Sequence, residues 1–369
     1  MDPSLPSASP QLNIPLLLRL RREGGGFVGF QELRTASNDL EADLRALERF
    51  GFQIETHGSM KAAYRGPSPR LCPDQIEHDL GVRWIGRRIA VWNRVSSTND
   101  LAARAAASLS NDGLVILAEE QTAGRGRQGR SWTAPPRSCL LMSVLVFPPA
   151  PLLTPVTRGG LAAGAWLTAL AAVATAEVVT EWSGSQARIK WPNDIRVDGR
   201  KIAGILVECP CDAGVSHPAA GPSIRRSRAS GFVIGVGLNA NLELESLPPE
   251  LRCRATSLRT LAQGRLVDRS ELARALIRRF DTWYGTCLSS GPEAITAPWS
   301  ERSEHLGRNV RVLLPAEEVV GRLVNLDLLR GLTLELHSPA ADPRIAEPTN
   351  PARFRQIASE RVLALQSEG

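Results

Sequence analysis

Apolar residues recur along this chain with two periods, and the switches between them divide it. Ile14 to Arg22 carries leucines at helical spacing, and Phe30 to Thr35 can form a second short helix. Leu40, Leu44 and Leu47 fall on one face of a third, Asn38 to Phe50, with Ser37 as its candidate cap. Phe52 to Thr56 and Ala62 to Arg65 then read as strands joined by a turn at His57 to Ser59. Three short helices followed by a hairpin are the element order of a winged helix-turn-helix, predicted over residues 14–66. Residues 1–13, rich in Pro and Ser, are expected to be disordered. Three prolines between Pro67 and Pro73 mark a linker, drawn over 67–77.

A larger domain is expected from 78 to 304. Arg88 to Asn93, Leu114 to Glu119, Cys139 to Phe147, Arg188 to Trp191, Ile195 to Val197, Ile202 to Glu208 and Phe232 to Leu238 run or alternate apolar as strands do. Helices are predicted from Asp100 to about Ser108, capped within Ser96 to Asn99, and from Glu271 to Trp283. This describes an α/β unit with a mixed, largely antiparallel sheet. Gly159 to Ala176 has no charge over a membrane-spanning length, but its alanines transfer poorly into lipid, so it reads as a buried helix. Pro210 to Ser230 looks like a flexible insertion. Beyond Gly307, short strands at Val310 to Leu314, Glu318 to Asn325 and Gly331 to Leu336, with one or two more in Arg353 to Leu365, suggest a small β-barrel over 305–369. The fold class expected is α+β.

Composition narrows the picture slightly. A net charge of +6 from 44 basic and 38 acidic residues is a mixed surface. Residues 1–66 hold eight basic and eight acidic residues, and the third helix carries Asp39, Glu41, Asp43 and Glu48 against Arg45 and Arg49. Phosphates repel such a helix, so DNA is not expected as a partner. The six cysteines lack paired metal spacing and the five histidines lie far apart and near no nucleophile motif, which argues against a zinc site and a histidine triad. The start, Met-Asp-Pro-Ser-Leu-Pro-Ser, lacks signal-peptide regions, so the cytoplasm is the expected location, with no membrane association.

Two stretches hold candidate chemistry. Residues 124–130, Gly-Arg-Gly-Arg-Gln-Gly-Arg, combine glycines that let backbone amides approach an anion with guanidinium forks suited to phosphate. Alone, such a loop is equally a solvated or RNA-binding patch. Lys190-Trp191-Pro192-Asn193-Asp194, followed by a hairpin through Gly199-Arg200-Lys201 into Gly204 and Leu206, places two lysines and a carboxylate near each other. Facing the basic loop, they could hold an oxyanion and a polyphosphate together, with Gly204 leaving room for a flat ligand.

These blocks, with Ser97-Thr98-Asn99, Gln121 to Trp132, Lys201 to Glu208 and Gly235 to Asn239, closely resemble biotin protein ligases bearing an N-terminal winged helix. The resemblance implies a central domain of the class II synthetase-like kind and an SH3-like C-terminal barrel. It implies that Ser97, Thr98 and Gln121 meet the ureido ring of biotin, and that Gly204 and Leu206 line the pocket for its thiophene ring and chain. Gly124, Arg125, Gly126 and Arg127 would belong to a mobile lid over the adenylate, with Trp132 packing on adenine and Asn193 and Asn239 seating the nucleotide. Lys201 would bridge the biotin carboxylate and the α-phosphate, Arg127 and Lys190 would support phosphate charge, and Asp194 would orient the incoming amine.

The activity so implied joins biotin to ATP, with Mg²⁺ on the pyrophosphate, and passes the biotinyl group from biotinyl-5'-AMP to a lysine of a biotin carboxyl carrier protein, that of acetyl-CoA carboxylase or a related carboxylase. No protein metal site is implied, and a homodimer stays open. A lipoate protein ligase is the alternative enzyme, although that group lacks the pattern at 190–194. A biotin-operon repressor is the alternative of another class, and the acidic third helix speaks against it.

Overall fold

The computed structural model describes residues 11–153, 163–210, 231–328, 330–336 and 354–367. The expectations for residues 1–10 and for the insertion beyond Pro210 lie outside the described residues. Helices α1 (Ile14–Arg22), α2 (Phe30–Leu33) and α3 (Leu40–Phe50) pack with a small antiparallel sheet of order β1-β3-β2, made of β1 (Val28–Gly29), β2 (Gln53–His57) and β3 (Lys61–Gly66). Leu16, Leu17, Leu20, Leu33, Leu44 and Leu47 form their shared core. The cap of α3 is Asp39, whose carboxylate accepts the Ala42 N–H at 3.0 Å. Ser37 lies two residues before that cap, and its hydroxyl donates to the Asp43 carboxylate in the first turn rather than accepting a backbone N–H there.

The segment expected as a linker is built into the domain junction. Leu71 and Cys72 are buried, and a short helix, α4 (Pro73–Glu77), buries Ile76. Prolines remove backbone donors, so few N–H groups need partners here. The Leu71 N–H donates to Glu119 Oε1 at 2.6 Å and the Cys72 N–H to Ser270 Oγ at 2.9 Å.

The central domain is a seven-stranded sheet. In chain order it contains β4 (Arg88–Trp92), α5 (Thr98–Ala105), β5 (Leu114–Ala118), β6 (Cys139–Val146), α6 (Ala163–Ser183), β7 (Arg188–Lys190), β8 (Asp194–Val197), β9 (Arg200–Glu208) and β10 (Phe232–Asn239). The strand order is β4-β5-β6-β10-β9-β8-β7, parallel at β4–β5 and antiparallel elsewhere. Two short helices, α7 (Pro249–Arg252) and α8 (Leu258–Leu261), precede the long α9 (Arg269–Ser290), which Asp268 caps by accepting from Ser270 and Glu271; α10 (Thr296–Glu301) follows.

The described part of the alanine-rich run lies in the buried α6, and residues 159–162 lie outside the described residues. Trp166, Leu167, Leu170, Val173 and Val178 are all fully buried in the main core, each worth about 1.5–3 kcal/mol against exposure. Among the described residues no helix is long and apolar enough to cross a membrane. Arg269 on α9 is buried too. It pairs with Glu119 at 2.6 Å and donates to the carbonyls of Cys139 and Pro69, so that its buried charge is matched by a carboxylate and two further acceptors.

The C-terminal unit is an antiparallel five-stranded sheet of order β14-β13-β12-β11-β15, formed by β11 (Asn309–Leu313), β12 (Glu318–Asp327), β13 (Gly331–Leu336), β14 (Phe354–Ile357) and β15 (Ala364–Ser367). Val310, Val312, Leu323 and Leu334 belong to one continuous core with the central domain. At the junction the Glu304 N–H donates to Ile189 O at 2.9 Å. His305 is 1% exposed, with Nδ1 3.0 Å from Ser367 Oγ.

Burial, with the nearby cations Lys190, Arg196 and Arg308, pushes His305 down from 6.5 to about 4. The unfolded chain therefore takes up a proton at a pH where the folded chain does not. The stability from the neutral imidazole is complete above pH 6.5, fades as pH falls toward 4, and is lost below, up to about 3 kcal/mol. Urea unfolding at pH 7, 6 and 5 should show falling midpoints, and His305→Asn should flatten that fall; an identical slope in the variant would disprove the assignment.

Candidate active site

Alternation along β6 sets up the two faces of the sheet. Leu140, Met142, Val144 and Val146 join the main core, whereas Leu141, Ser143 and Leu145 face the opposite side. Directly paired residues share a face, so two rows can be followed across the strands. One runs Leu141, Gly237, Gly204, Asp194, Lys190, and the other Ser143, Gly235, Leu206. Three glycines thus leave the middle of this face bare.

Other elements lay side chains on that floor. A Cβ at Gly237 would stand 2.5 Å from the Trp132 ring, and one at Gly204 would stand 3.1 Å from the same ring and 3.2 Å from Lys201 Nζ. At Gly235 a Cβ would collide with the Asn99 side-chain oxygen. Trp132 and Asn99 can lie there only because these strand positions are glycine.

A cleft of about 800 Å³, counted out to its open mouth, lies over the floor. At its polar end Ser97 caps α5, its hydroxyl accepting the Asn99 N–H. Thr98 donates both its N–H and its hydroxyl to Gln121 Oε1, each at 2.8 Å. Ser143 Oγ lies 2.7 Å from Thr98 Oγ1 and 2.6 Å from Asn99 Oδ1. These are three close oxygen pairs served by two hydroxyl protons, so one pair is always short of a donor.

The opposite end is charged. Lys201 Nζ lies 2.6 Å from Asp194 Oδ1 and 5.6 Å from the centre of the Trp132 ring. Asn193 closes the turn by donating its amide to Ile205 O at 2.6 Å and accepting the Ile205 N–H at its backbone carbonyl. Burial pulls the Arg127 guanidinium below its usual range, with Asp194 opposing. Lys190 is likewise lowered by burial and by Arg196 and Lys201, with Glu304 and Asp194 opposing.

The basic loop is a closed excursion between Gln121 and Trp132. Arg125 bridges Ser131, the Gly126 N–H donates to Arg130 O at 2.6 Å, and the Trp132 N–H donates to Gly124 O at 2.9 Å. At the tip Gln128 and Gly129 turn the chain with φ of 56° and 72°. The expectation that these glycines free their amides for an anion does not hold at Gly126, whose amide closes the loop on itself. Gly124 is required because a Cβ would strike Trp132 O.

A model of the Biotin/lipoate A/B protein ligase family matches residues 91–216. The chain is 35% identical over 268 residues to the biotin--[acetyl-CoA-carboxylase] ligase of Mycobacterium tuberculosis, covering 70% of this chain and 89% of that one. The chain belongs to the biotin protein ligase family. It is also 29% identical to the bifunctional ligase/repressor BirA of Bacillus subtilis, over 77% of this chain and 80% of that one. In structure it resembles the biotin protein ligase of Aquifex aeolicus solved with biotin and ATP, at a TM-score of 0.57 and 20% identity, over 77% of this chain and all of that one, a likeness of fold.

This biotin protein ligase gathers most of the residues singled out from sequence into the one cleft. Ser97, Thr98, Gln121, Arg125, Gly126, Arg127, Trp132, Asn193, Asp194, Lys201, Gly204 and Leu206 all line it. Gly124 shapes the loop from outside the lining. Lys190 stands behind, across the strands from Asp194. Asn239, expected to help seat the nucleotide, is buried, donates its amide to Thr256 O at 2.9 Å, accepts from Cys139, and stands outside the cleft's lining. It holds the strap at 254–256 whose backbone bonds to both sides of Lys201.

The sequence by itself assigns no role to Asn99, Ser143, Glu208, Gly235 or Gly237. Two signals of them are nonetheless visible in it: glycines two apart within an apolar strand, and the lone hydroxyl residue in Cys139 to Val146. Gly235→Ala should push Asn99 off the floor and destabilise the fold by about 1–3 kcal/mol in urea unfolding. An unchanged midpoint would show that the contact has slack.

Proposed function

We propose that the protein joins biotin to ATP and transfers the biotinyl group, through biotinyl-5'-AMP, to a lysine of a carboxyl carrier protein of the acetyl-CoA carboxylase kind. The observation that carries this reading is the division of the cleft. A donor-poor polar cluster lies at one end, the Lys201–Asp194 pair at the other, and a glycine floor between. A ureido ring brings N–H donors to Asn99, Thr98 and Gln121, where a proton is short. Its apolar bicycle and chain run over Gly204 and Leu206 and bring the carboxylate to Lys201.

In the first step a biotin carboxylate oxygen attacks the α-phosphorus of ATP and pyrophosphate leaves. Lys201 turns from Asp194 to the carboxylate and α-phosphate, and Arg127, which lines the same end of the cleft, stabilises the charge that builds there. Trp132 leaves the glycine floor and packs on adenine. Lys190 adds positive field from behind Asp194, and Asn193 keeps the turn in register. In the second step the ε-amine of the acceptor attacks the anhydride carbonyl, AMP leaves, and Asp194 receives and orients the amine. Mg²⁺ would accompany ATP and would supply neutralisation of the charge that builds on the leaving pyrophosphate.

The flanking units are read as a winged helix over 14–66 and an SH3-like barrel over 305–369, on either side of a synthetase-like catalytic domain over 78–304. Their element orders support this. Glu41 and Glu48 lie exposed on α3 beside the exposed cap Asp39, and Arg45 there is paired with Glu41, which does not favour a second role on DNA.

Purified protein with ATP, Mg²⁺ and a carrier domain should attach biotin and not lipoate, read as an avidin-detectable mass shift; equal or faster lipoate transfer would overturn the reading. Lys201→Ala should slow pyrophosphate release by roughly 10²- to 10³-fold. An unchanged rate would remove Lys201 from the chemistry.

A further inference from the structure

We propose that Glu208 is a positioning residue that joins the two halves of this site, fixing which way the Asn99 amide faces and pinning the root of the Gly124–Arg130 loop. Glu208 ends β9, on the site face of the sheet beside Val233. Its Oε2 accepts from Asn99 Nδ2 at 2.6 Å and from Arg125 Nη2 at 3.1 Å. Arg125 Nη1 reaches Asp100 Oδ1 at 2.6 Å, so one guanidinium is held between carboxylates on β9 and α5.

The two contacts do different things. A carboxamide has nearly the same shape either way round, so its partners decide its orientation. A carboxylate only accepts, so Asn99 must turn Nδ2 to Glu208 and leave Oδ1 toward Ser143, 2.6 Å away. Reversal would bring oxygen against oxygen at Glu208. The acceptor character of the polar end thus depends on an anion outside the cleft's lining. Gly235 completes the arrangement by leaving space for that oxygen.

Arg125 sits where the loop closes, opposite Ser131. Tied to Asp100 and Glu208, it anchors the loop to the domain, while Arg127, two residues on, lies within the field of Asp194. Glu208 therefore sets the ligand end of the cleft and the root of its cover with one carboxylate. Neither contact touches Lys201 or Asp194.

The inference rests on the biotin ligase reading for its kinetic arm only. Biotinylation of a carrier domain should show KM for biotin raised about tenfold or more in Glu208→Ala, and raised more than KM for ATP, because the charge-assisted hydrogen bond that orients Asn99 is lost at the ring end while the loop loses only one of the two carboxylates that hold Arg125. Glu208→Gln can still accept from Asn99 and should recover much of the KM. It lacks the charge that holds Arg125, so limited trypsin cleavage after Arg127 and Arg130 should run severalfold faster than in the wild type, with melting temperature measured alongside.

Wild-type KM for biotin in Glu208→Ala, or a parallel fall of every kinetic parameter with the folded fraction, would overturn the positioning role. Wild-type cleavage in Glu208→Gln would overturn the anchor. Should Glu208→Ala not fold, Glu208→Met takes its place, filling the same space without an acceptor for Asn99, and a wild-type KM for biotin there would contradict the positioning role. Failure of the wild-type protein to transfer biotin would instead sink the functional reading, and the cleavage comparison, which needs no substrate, would still test the anchor.

Discussion

Strands β9 and β10 must be sealed on one face and bare on the other, and the rest of the structure answers to that constraint. Their inner residues, Ile202, Ile205, Ile234 and Val236 among them, are buried in the main core. On the outer face Gly204, Gly235 and Gly237 forgo side chains where packing would otherwise be richest. Glycine weakens a strand through entropy and lost contacts, and the largely buried α6 with α9 offsets that cost from behind. The bare strip receives Trp132 and Asn99 from elsewhere in the chain. Placing a site on rigid strands, with its variable parts in a loop and a helix start, gives precision where the chemistry needs it.

Electrostatics in the cleft follow the same economy. Lys201 lies against Asp194, and Arg125 against Asp100 and Glu208. Ion pairs of this partial exposure contribute little to stability, so a ligand oxyanion can replace one partner at modest cost. Arg127 differs in having no carboxylate partner among its described contacts; partial desolvation lowers it, with the field of Asp194 opposing. The polar end is the mirror case: oxygens outnumber hydroxyl protons, and the shortage favours a ligand with N–H groups.

The flanking units are attached through the interior. Glu119, just past β5, accepts from Leu71 and from Arg269, and Arg269 also bonds the Pro69 and Cys139 carbonyls, so junction, sheet and α9 meet at one buried ion pair. At the other end the C-terminal sheet shares the main core, and β7 bonds the chain entering it, one residue from Lys190. Both attachments reach strands that carry the site.

Features that depend on near neighbours in the chain are legible in the amino-acid sequence itself. Helix and strand periods locate most elements, and glycine, arginine, lysine and the Lys190–Asp194 turn mark the chemistry, because spacing of a few residues determines which side chains share a face. The cap of α3 is Asp39 and not Ser37 because a shift of the helix start by two residues changes which oxygen reaches its first turn. Asn239 carries a site-like motif but is claimed by Thr256 and Cys139. The Asn99, Arg125 and Glu208 contacts join residues 109 and 83 positions apart. Composition and local pattern determined most of the elements and a cation-rich, glycine-bearing pair of stretches, and the resemblance those motifs carry implied a ligase. Only the folding of β9 against β10, and of α5 and the loop above them, decided which oxygen faces which donor, because that depends on distances no local period encodes.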